Sequence, residues 1–305
     1  MHLPTCHLAA HVTQQPAALN RPPLRAPLMF SSYRPVILSD FIEDLWFYEG
    51  YVPPHSRELI LPSGTFELVF NLRDDELRIY EPRRLDRFRR FSGAIVSGPY
   101  AGCFASDAAE EVSVLGIHFQ PGGAFPFLGL PAAELAGTHL DLSELWGPAA
   151  ASLRERLIAA KATSRFHVLE DVLTRRVMGA SRRHRAVLGA VGIFNRRSRN
   201  RIAHVAANIG VSERRLLDVF RAQVGLTPKM FGRVSRFQQV LTALHPESAA
   251  DWARLACTCG YFDQSHLIRD FLEFSGLSPE AYQRQRLRLH QAGAQLKRNH
   301  LPVLA

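Results

Sequence analysis

The chain repeats a pattern within itself after residue 195, and this repeat limits its fold more strongly than any other feature. Residues 209–228 begin with Ile-Gly-Val-Ser and end with Gly-Leu-Thr-Pro. Residues 259–279 form a second copy that begins with Cys-Gly-Tyr-Phe and ends with Gly-Leu-Ser-Pro. The offset between the copies is 50 residues at the first glycine and 51 further on, so the second copy has one extra residue in its turn. Self-similarity of this kind predicts two units with the same local structure.

Each copy predicts two helices joined by a tight turn. Apolar residues recur at helical spacing before the turn, and Gly210 and Gly260 follow them where a left-handed residue can end a helix. Ser212 and Asp263 then supply a side-chain oxygen that caps the start of the next helix. Two helices joined by a short turn that contains glycine form a helix-turn-helix unit.

The net positive charge of the chain lies in the same region as the repeat. Residues 196–305 contain 17 Lys and Arg against 8 Asp and Glu, whereas residues 1–195 contain 20 of each. The whole net charge of +9 therefore belongs to the C-terminal part. A basic segment beside a neutral one is typical of a polyanion-binding domain next to a domain with another role, although a solvated arginine-rich surface has the same composition.

The segment between the two units predicts a helix from Pro228 to about His245. Its 18 residues would span about 27 Å, which is close to the ~34 Å between successive major-groove faces of B-DNA. One chain could therefore place two recognition helices in adjacent major grooves. The sequence predicts a domain that binds double-stranded DNA.

Residues 197–290 resemble the DNA-binding domain of the AraC/XylS transcription regulators. The resemblance rests on the paired units, and above all on residues 251–282, which contain Gly-Tyr-Phe-Asp-Gln-Ser-His-Leu-Ile-Arg-Asp-Phe and then Gly-Leu-Ser-Pro. It implies a transcription regulator with one variable sensing or oligomerising domain and one DNA-binding domain. Promoter DNA, RNA polymerase and a small-molecule effector are the partners that it implies. Two recognition helices in one chain allow either a monomer or a homodimer.

The resemblance assigns the first recognition helix to residues 212–220. Its expected DNA-facing residues are Arg214, Leu217, Asp218 and Arg221, with Arg215 at the margin. Arginine suits a bidentate contact with guanine, and leucine suits the thymine methyl group. The family often has a polar or basic residue where Asp218 stands, so this carboxylate would accept a hydrogen bond from cytosine or pair with a neighbouring arginine. The alternative is a helix that contacts mainly phosphates.

The second recognition helix is expected at residues 263–272. Gln264, Ser265, His266 and Arg269 are its expected DNA-facing residues. Gln264 or Ser265 would contact base edges, and Arg269 would reach guanine or a phosphate.

Further arginines are expected to contact the DNA backbone, where they add affinity but little sequence information. They are Arg201, Arg233, Arg236 and Arg254.

The N-terminal half has the pattern of short strands. Apolar residues alternate along residues 65–72 and 113–120, and residues 93–99 form a third apolar run between turn residues. This spacing predicts a β-sandwich or small barrel, which can hold a ligand or be filled by side chains. Apolar residues at helical spacing then predict a helical connector that packs on the barrel or on a second subunit.

The predicted fold class is therefore α+β, with three parts and two tails. A β-rich, barrel-like sensor or oligomerisation domain covers residues 31–140, a helical connector covers 141–195, and an all-α double helix-turn-helix domain covers 196–290. Residues 1–30, with five prolines and no periodic pattern, predict a disordered tail, and residues 291–305 predict a basic flexible tail. Either Met1 or Met29 could be the first residue translated.

The cysteine content and the residues near Met1 indicate the cellular compartment of the protein. Four cysteines without a paired framework, and no signal-peptide apolar core near Met1, predict a cytoplasmic protein. A run of about 18 apolar residues, as a membrane span requires, does not occur in the sequence.

A barrel enzyme fused to a DNA-binding module is the alternative function. His55, Glu67 and His118 are the residues from which a metal site in the barrel would be built, but no H-x-H or H-E-x-x-H spacing joins any two of them. The cysteine-rich zinc unit of DNA-repair alkyl acceptors, which share a similar DNA-binding module, is missing as well. We expect no catalytic residues, no cofactor and no metal ion.

Overall fold

The computed structural model describes residues 29–50, 55–108, 112–178, 182–196, 201–245, 250–291 and 299–303. The strands within these residues are β1 (Met29–Tyr33), β2 (Ile42–Glu49), β3 (Arg57–Ile60), β4 (Glu67–Asn71), β5 (Glu76–Glu81), β6 (Arg84–Ser92), β7 (Ala94–Ser97), β8 (Phe104–Asp107), β9 (Ser113–Phe119), β10 (His139–Asp141) and β11 (His300–Pro302). The helices within them are α1 (Phe125–Leu128), α2 (Leu142–Trp146), α3 (Pro148–Ala159), α4 (Arg165–Val177), α5 (Arg185–Arg196), α6 (Ile202–Ile209), α7 (Glu213–Val224), α8 (Pro228–Ala243), α9 (Trp252–Thr258), α10 (Gln264–Ser275) and α11 (Pro279–Gln291). The predicted disordered tail lies outside the described residues as far as residue 28.

The N-terminal strands form two antiparallel sheets. One has the strand order β1-β2-β9-β4-β7-β10, and the other has the order β11-β3-β8-β5-β6. The sheets enclose a small cavity between them but do not close into a barrel, so the domain is a two-sheet version of the β-rich fold that the sequence predicts.

The alternation of apolar residues along the strands explains which face of the six-stranded sheet is covered by helices. Phe66, Leu68, Phe70 and Leu72 all belong to one hydrophobic core, as the alternating pattern predicts. The same core contains Leu115, Ile117 and Phe119 of β9, together with Leu153, Leu157, Leu169 and Leu173 of α3 and α4. The predicted helical connector therefore packs on the six-stranded sheet.

Helix α5 packs with a different part of the molecule from the connector to which the sequence assigns it. Val187, Ala190 and Phe194 of this helix lie in the core of the first helix-turn-helix unit, with Val205 and Phe220. Helix α5 therefore packs with the first helix-turn-helix unit, although it precedes the boundary expected at residue 196.

The turns and caps of the two units agree with the sequence prediction. Gly210 and Gly260 adopt left-handed conformations with φ of 76° and 80°. Ser212 Oγ accepts a hydrogen bond from the amide of Arg215 at 3.2 Å, and Asp263 Oδ1 accepts one from the amide of His266 at 2.7 Å. Each unit is therefore a helix-turn-helix whose second helix has a side-chain cap.

The expected flexible tail is ordered at residues 300–302. There β11 pairs antiparallel with β3, and Leu301 is fully buried in the core of the second helix-turn-helix unit beside Leu61. Pairing between strands more than 200 residues apart leaves no local sequence signal, which is why the expectation of a flexible tail is wrong at these residues.

Candidate nucleic-acid interface

The two candidate recognition helices, α7 and α10, each have one buried and one exposed face. Leu216 and Phe220 of α7 are fully buried, and Leu267 and Phe271 of α10 occupy the same relative positions with at most 1% exposure. The inward residues anchor each helix, so the opposite side chains are available to a partner.

The exposed face of α7 contains all five residues that the sequence assigns to it. Arg214, Arg215, Asp218 and Arg221 are exposed, and Leu217 is 37% exposed. The helix extends to Val224, one turn beyond the expected end at residue 220.

The exposed face of α10 contains Gln264, Ser265 and Arg269. His266 is only partly exposed because its ring lies edge-on against Tyr261, with the ring centres 5.2 Å apart. Burial lowers the pKa of the His266 ring below its usual value. The ring is therefore neutral near pH 7 and can serve as a hydrogen-bond donor or acceptor rather than as a cation.

Arg233 and Arg236 do not occupy the free positions expected of phosphate contacts. Arg233 Nη2 lies 2.7 Å from Asp270 Oδ1, and its Nη1 lies 3.0 Å from Glu273 Oε1. Arg236 is 9% exposed, and its Nη2 lies 3.7 Å from Asp270 Oδ2. The Arg233 hydrogen bonds hold the pKa of Glu273 below its usual value. Both arginines join α8 to α10, where carboxylates already partner their guanidinium groups. That they contact phosphate stays a prediction.

Arg201 and Arg254 remain exposed. Arg201 is the residue before α6, and Arg254 lies in the first turn of α9, where its backbone amide donates to Asp251 Oδ1 at 3.0 Å. Cationic side chains at these helix starts can contact phosphates without rearrangement.

A groove of about 880 Å³ runs between the two helix-turn-helix units. Its lining includes Arg201, Lys229 and Arg269, which supply positive charge, and the aromatic ring of Phe262. It also includes three carboxylates, those of Asp263, Asp270 and Glu273, of which the last two are paired with Arg233. Phe262 is 82% exposed. Neither Lys229 nor Phe262 was among the interface residues predicted from the sequence. The extra residue of the second turn was a signal that could have identified Phe262.

The cavity between the two sheets of the N-terminal domain has a volume of about 60 Å³. Trp46, Phe104 and Val114 supply part of its apolar lining, whereas Glu67 and His300 are polar. His300 belongs to β11, so the C-terminal strand forms part of the cavity wall.

Of the three residues from which a metal site would be built, His118 and Glu67 lie together, but His55 pairs elsewhere. His118 Nε2 lies 3.1 Å from Glu67, and its Nδ1 lies 2.6 Å from Asp44. His55 instead contacts Glu58 at 2.6 Å. Desolvation opposes the charge on His118, but Glu67 and Asp44 outweigh it and raise the pKa of His118 to about 10. His118 of β9 therefore pairs with carboxylates on the strands to either side of it, β2 and β4. In the described part of the chain no cluster of three or more His, Cys, Asp or Glu has an arrangement suited to a metal ion.

A helix that crosses a membrane needs a long, continuous apolar segment. Among the residues that the structure describes, no helix is both long and apolar enough to do so.

Two family matches cover separate parts of the chain. Residues 205–285 match a helix-turn-helix domain family, and residues 34–141 match a domain family of unknown function, DUF6597. No curated protein matches the chain.

Similar solved structures include two of ToxT from Vibrio cholerae. The wild-type protein with bound unsaturated fatty acid has 8% identity and a TM-score of 0.45, with 83% of this chain and 94% of that chain covered. The complex with (E)-4-(8-methylnaphthalen-1-yl)but-3-enoic acid has 9% identity and a TM-score of 0.44, with 83% and 98% covered.

Together, the paired units and the match over residues 205–285 define a DNA-binding transcription regulator. Its C-terminal domain is a helix-turn-helix domain of the AraC type.

Proposed function

We propose that the protein recognises specific sequences of double-stranded DNA by placing α7 and α10 in two adjacent major grooves. The observation that carries this proposal is the pair of capped helix-turn-helix units, each with an exposed polar face on its second helix. Helix α8 joins them with 16 residues, or about 24 Å, somewhat shorter than the helix that the sequence predicts. That length is of the same order as the ~34 Å between successive major-groove faces of B-DNA.

Base contacts are assigned to the exposed residues of these helices. Arg214, Arg215, Leu217, Asp218 and Arg221 would act in the first groove. Gln264, Ser265, His266 and Arg269 would act in the second. Arg201, Arg254 and Lys229 would contact phosphates, which sets affinity and its salt dependence.

The N-terminal domain is positioned to control DNA binding because it contacts both units. A Cβ on Gly225, at the end of α7, would lie only 2.7 Å from Pro99 Cγ. Gln238 Nε2 of α8 donates to the carbonyl of Pro62 at 2.6 Å. We propose that a small-molecule effector in the inter-sheet cavity, or association of two N-terminal domains, alters these contacts. A cavity of about 60 Å³ holds only a few heavy atoms unless the sheets separate.

A transcription regulator works where the chromosome is, so the proposed location is the cytoplasm. RNA polymerase is a proposed partner at the promoter, and monomer and homodimer are both compatible with two recognition helices in one chain.

Selection of bound sequences from random DNA, with the full-length protein at two salt concentrations, tests the proposal. The expected result is an enriched motif with two blocks about 10 base pairs apart. Binding without enrichment, with an affinity that falls steeply as salt rises, would show electrostatic attraction alone and would contradict sequence-specific recognition.

A further inference from the structure

The extra residue in the second helix-turn-helix turn changes which side chain packs inward. In the first unit, the amide of Val211 donates to the carbonyl of Ala206 at 3.1 Å, and the Val211 side chain packs against the core. In the second unit, the amide of Tyr261 donates to Ala256 at 2.8 Å. Tyr261 is 1% exposed, so it takes the structural place of Val211.

Phe262 is therefore the inserted residue, between buried Tyr261 and the cap residue Asp263. An apolar residue before a cap commonly packs against the fourth residue of the helix. Here that residue, Leu267, is fully buried, while Phe262 is 82% exposed. The ring thus does not pack as such a staple, and the cap itself is formed by Asp263 Oδ1. Neither the turn nor the core accounts for a large apolar side chain at this position.

The surroundings of Phe262 favour nucleic acid over an apolar protein partner. The ring lines the groove that also contains Arg201, Lys229 and Arg269. Gln264 and Ser265, the first residues of α10, follow it directly and are exposed. The N-terminal residues of a recognition helix are those that contact base edges in the major groove.

We infer that Phe262 packs against the methyl group of a thymine in the second major groove, so that it sets the sequence preference there. The thymine methyl group is the apolar part of the major-groove edge, and an exposed aromatic ring can pack against it. The cations that line the same groove would contact the phosphates. This inference rests on the proposed function, since it names a specificity residue of the same DNA interface.

The test compares the full-length protein with Phe262→Ala and with Leu188→Ala, a change at another exposed apolar residue (45% exposed, on α5). Each protein is used for selection from random DNA. The wild type and Leu188→Ala should select the same motif, and Phe262→Ala should lose the preference for thymine at one position of the second block. Phe262→Ala should also bind the wild-type site about tenfold more weakly, as expected for loss of a large apolar contact.

A second measurement tests how much the thymine methyl group contributes to binding. Deoxyuridine, which lacks that methyl, replaces the selected thymine in the wild-type site. The wild type should bind this site about fourfold more weakly, the size of effect expected for one buried methyl group, whereas Phe262→Ala should bind both sites equally. The salt dependence should be the same for both proteins, because Phe262 neutralises no phosphate.

The outcomes distinguish failure of the proposed sequence-specific recognition from failure of the role inferred for Phe262. A wild type that enriches no motif would overturn sequence-specific recognition and this inference with it. A wild-type motif that Phe262→Ala also selects, with equal affinity and equal loss on deoxyuridine, would overturn the role of Phe262 and leave the proposed function intact. The unfolding temperature of Phe262→Ala should match the wild type, since the removed ring is exposed.

Discussion

Arg214 in the first turn of α7 and Arg269 in the second turn of α10 are exposed arginines of the two recognition faces. A guanidinium group is planar and can donate two parallel hydrogen bonds to one guanine, whereas a lysine ammonium is a point charge without that planar pair of donors. The chemistry of these two side chains therefore leads to a prediction about specificity rather than affinity alone.

We expect Arg214→Ala or Arg269→Ala to weaken binding to the selected site by about 1–3 kcal/mol, with a much smaller loss on random DNA. Arg214→Lys keeps the positive charge but loses the planar guanidinium group with its paired donors, so it should retain affinity for random DNA and still lose specificity. Equilibrium binding to both DNAs measures the difference. Equal losses on the two DNAs would show that the arginine contacts a phosphate.

His118 supports a prediction about stability and pH. Its pKa of about 10 in the folded protein lies above the usual value of 6.5. The protonated ring therefore stabilises the fold fully below pH 6.5, and this contribution is lost as the pH rises through 10. The side chain is 41% exposed, so solvent screening reduces the expected cost of His118→Gln to about 1–2 kcal/mol at pH 7.

Urea unfolding of the wild type and His118→Gln at pH 7 and pH 10 measures this effect. The difference between the two proteins should shrink at the higher pH. His167→Gln, at an exposed histidine of α4, serves as the control and should change stability by less than about 0.5 kcal/mol. A His118→Gln difference that stays constant with pH would argue against the ion pair with Asp44 and Glu67.

Among the helices and strands, features that depend on neighbouring residues, such as turns and caps, could be predicted from the sequence. Contacts between segments that are distant along the chain could not. Gly210, Ser212 and Asp263 predicted turns and caps correctly because their effects reach only a few residues along the chain. The partners of Arg233 could not be predicted, because Asp270 lies 37 residues away and is brought close only by the packing of α10 on α8. The recognition residues were assigned through the resemblance to the AraC/XylS domain; the helical period fixes which face of the helix they occupy but not which DNA atoms they contact.

The Arg233–Asp270–Arg236 cluster should fix the position of α10 on α8. The Asp270 side chain is 3% exposed, so Asp270→Asn leaves buried arginine charge unmatched and should cost about 3 kcal/mol of unfolding free energy. Glu273 is 51% exposed, so Glu273→Gln should cost no more than about 0.5 kcal/mol although it contacts the same Arg233. Urea denaturation of both variants checks the contrast, and similar losses in the two would refute the special role of the buried carboxylate.

For the whole molecule, the C-terminal strand joins the second helix-turn-helix unit to the N-terminal sheet. His300 Nδ1 lies 2.7 Å from Glu58 Oε2, and the carbonyl of Pro302 accepts a hydrogen bond from Gln285 of α11. Leu301 between them is fully buried in the same core as Leu61 of the N-terminal domain. One short strand thus contacts both domains, and its His300 also lines the inter-sheet cavity.

Because β11 bridges the two domains, we expect it to make them unfold together. Leu301→Ala should remove about 3 kcal/mol of stability, as for other large-to-small changes in a core, and should split one calorimetric transition into two. Leu301→Met, which nearly conserves volume, should keep a single transition and cost less than about 1.5 kcal/mol. A single transition at the wild-type temperature in Leu301→Ala would mean that the Gln238–Pro62 and Gly225–Pro99 contacts couple the domains without the strand. A split would instead show that β11 couples the unfolding of the N-terminal domain to that of the second helix-turn-helix unit.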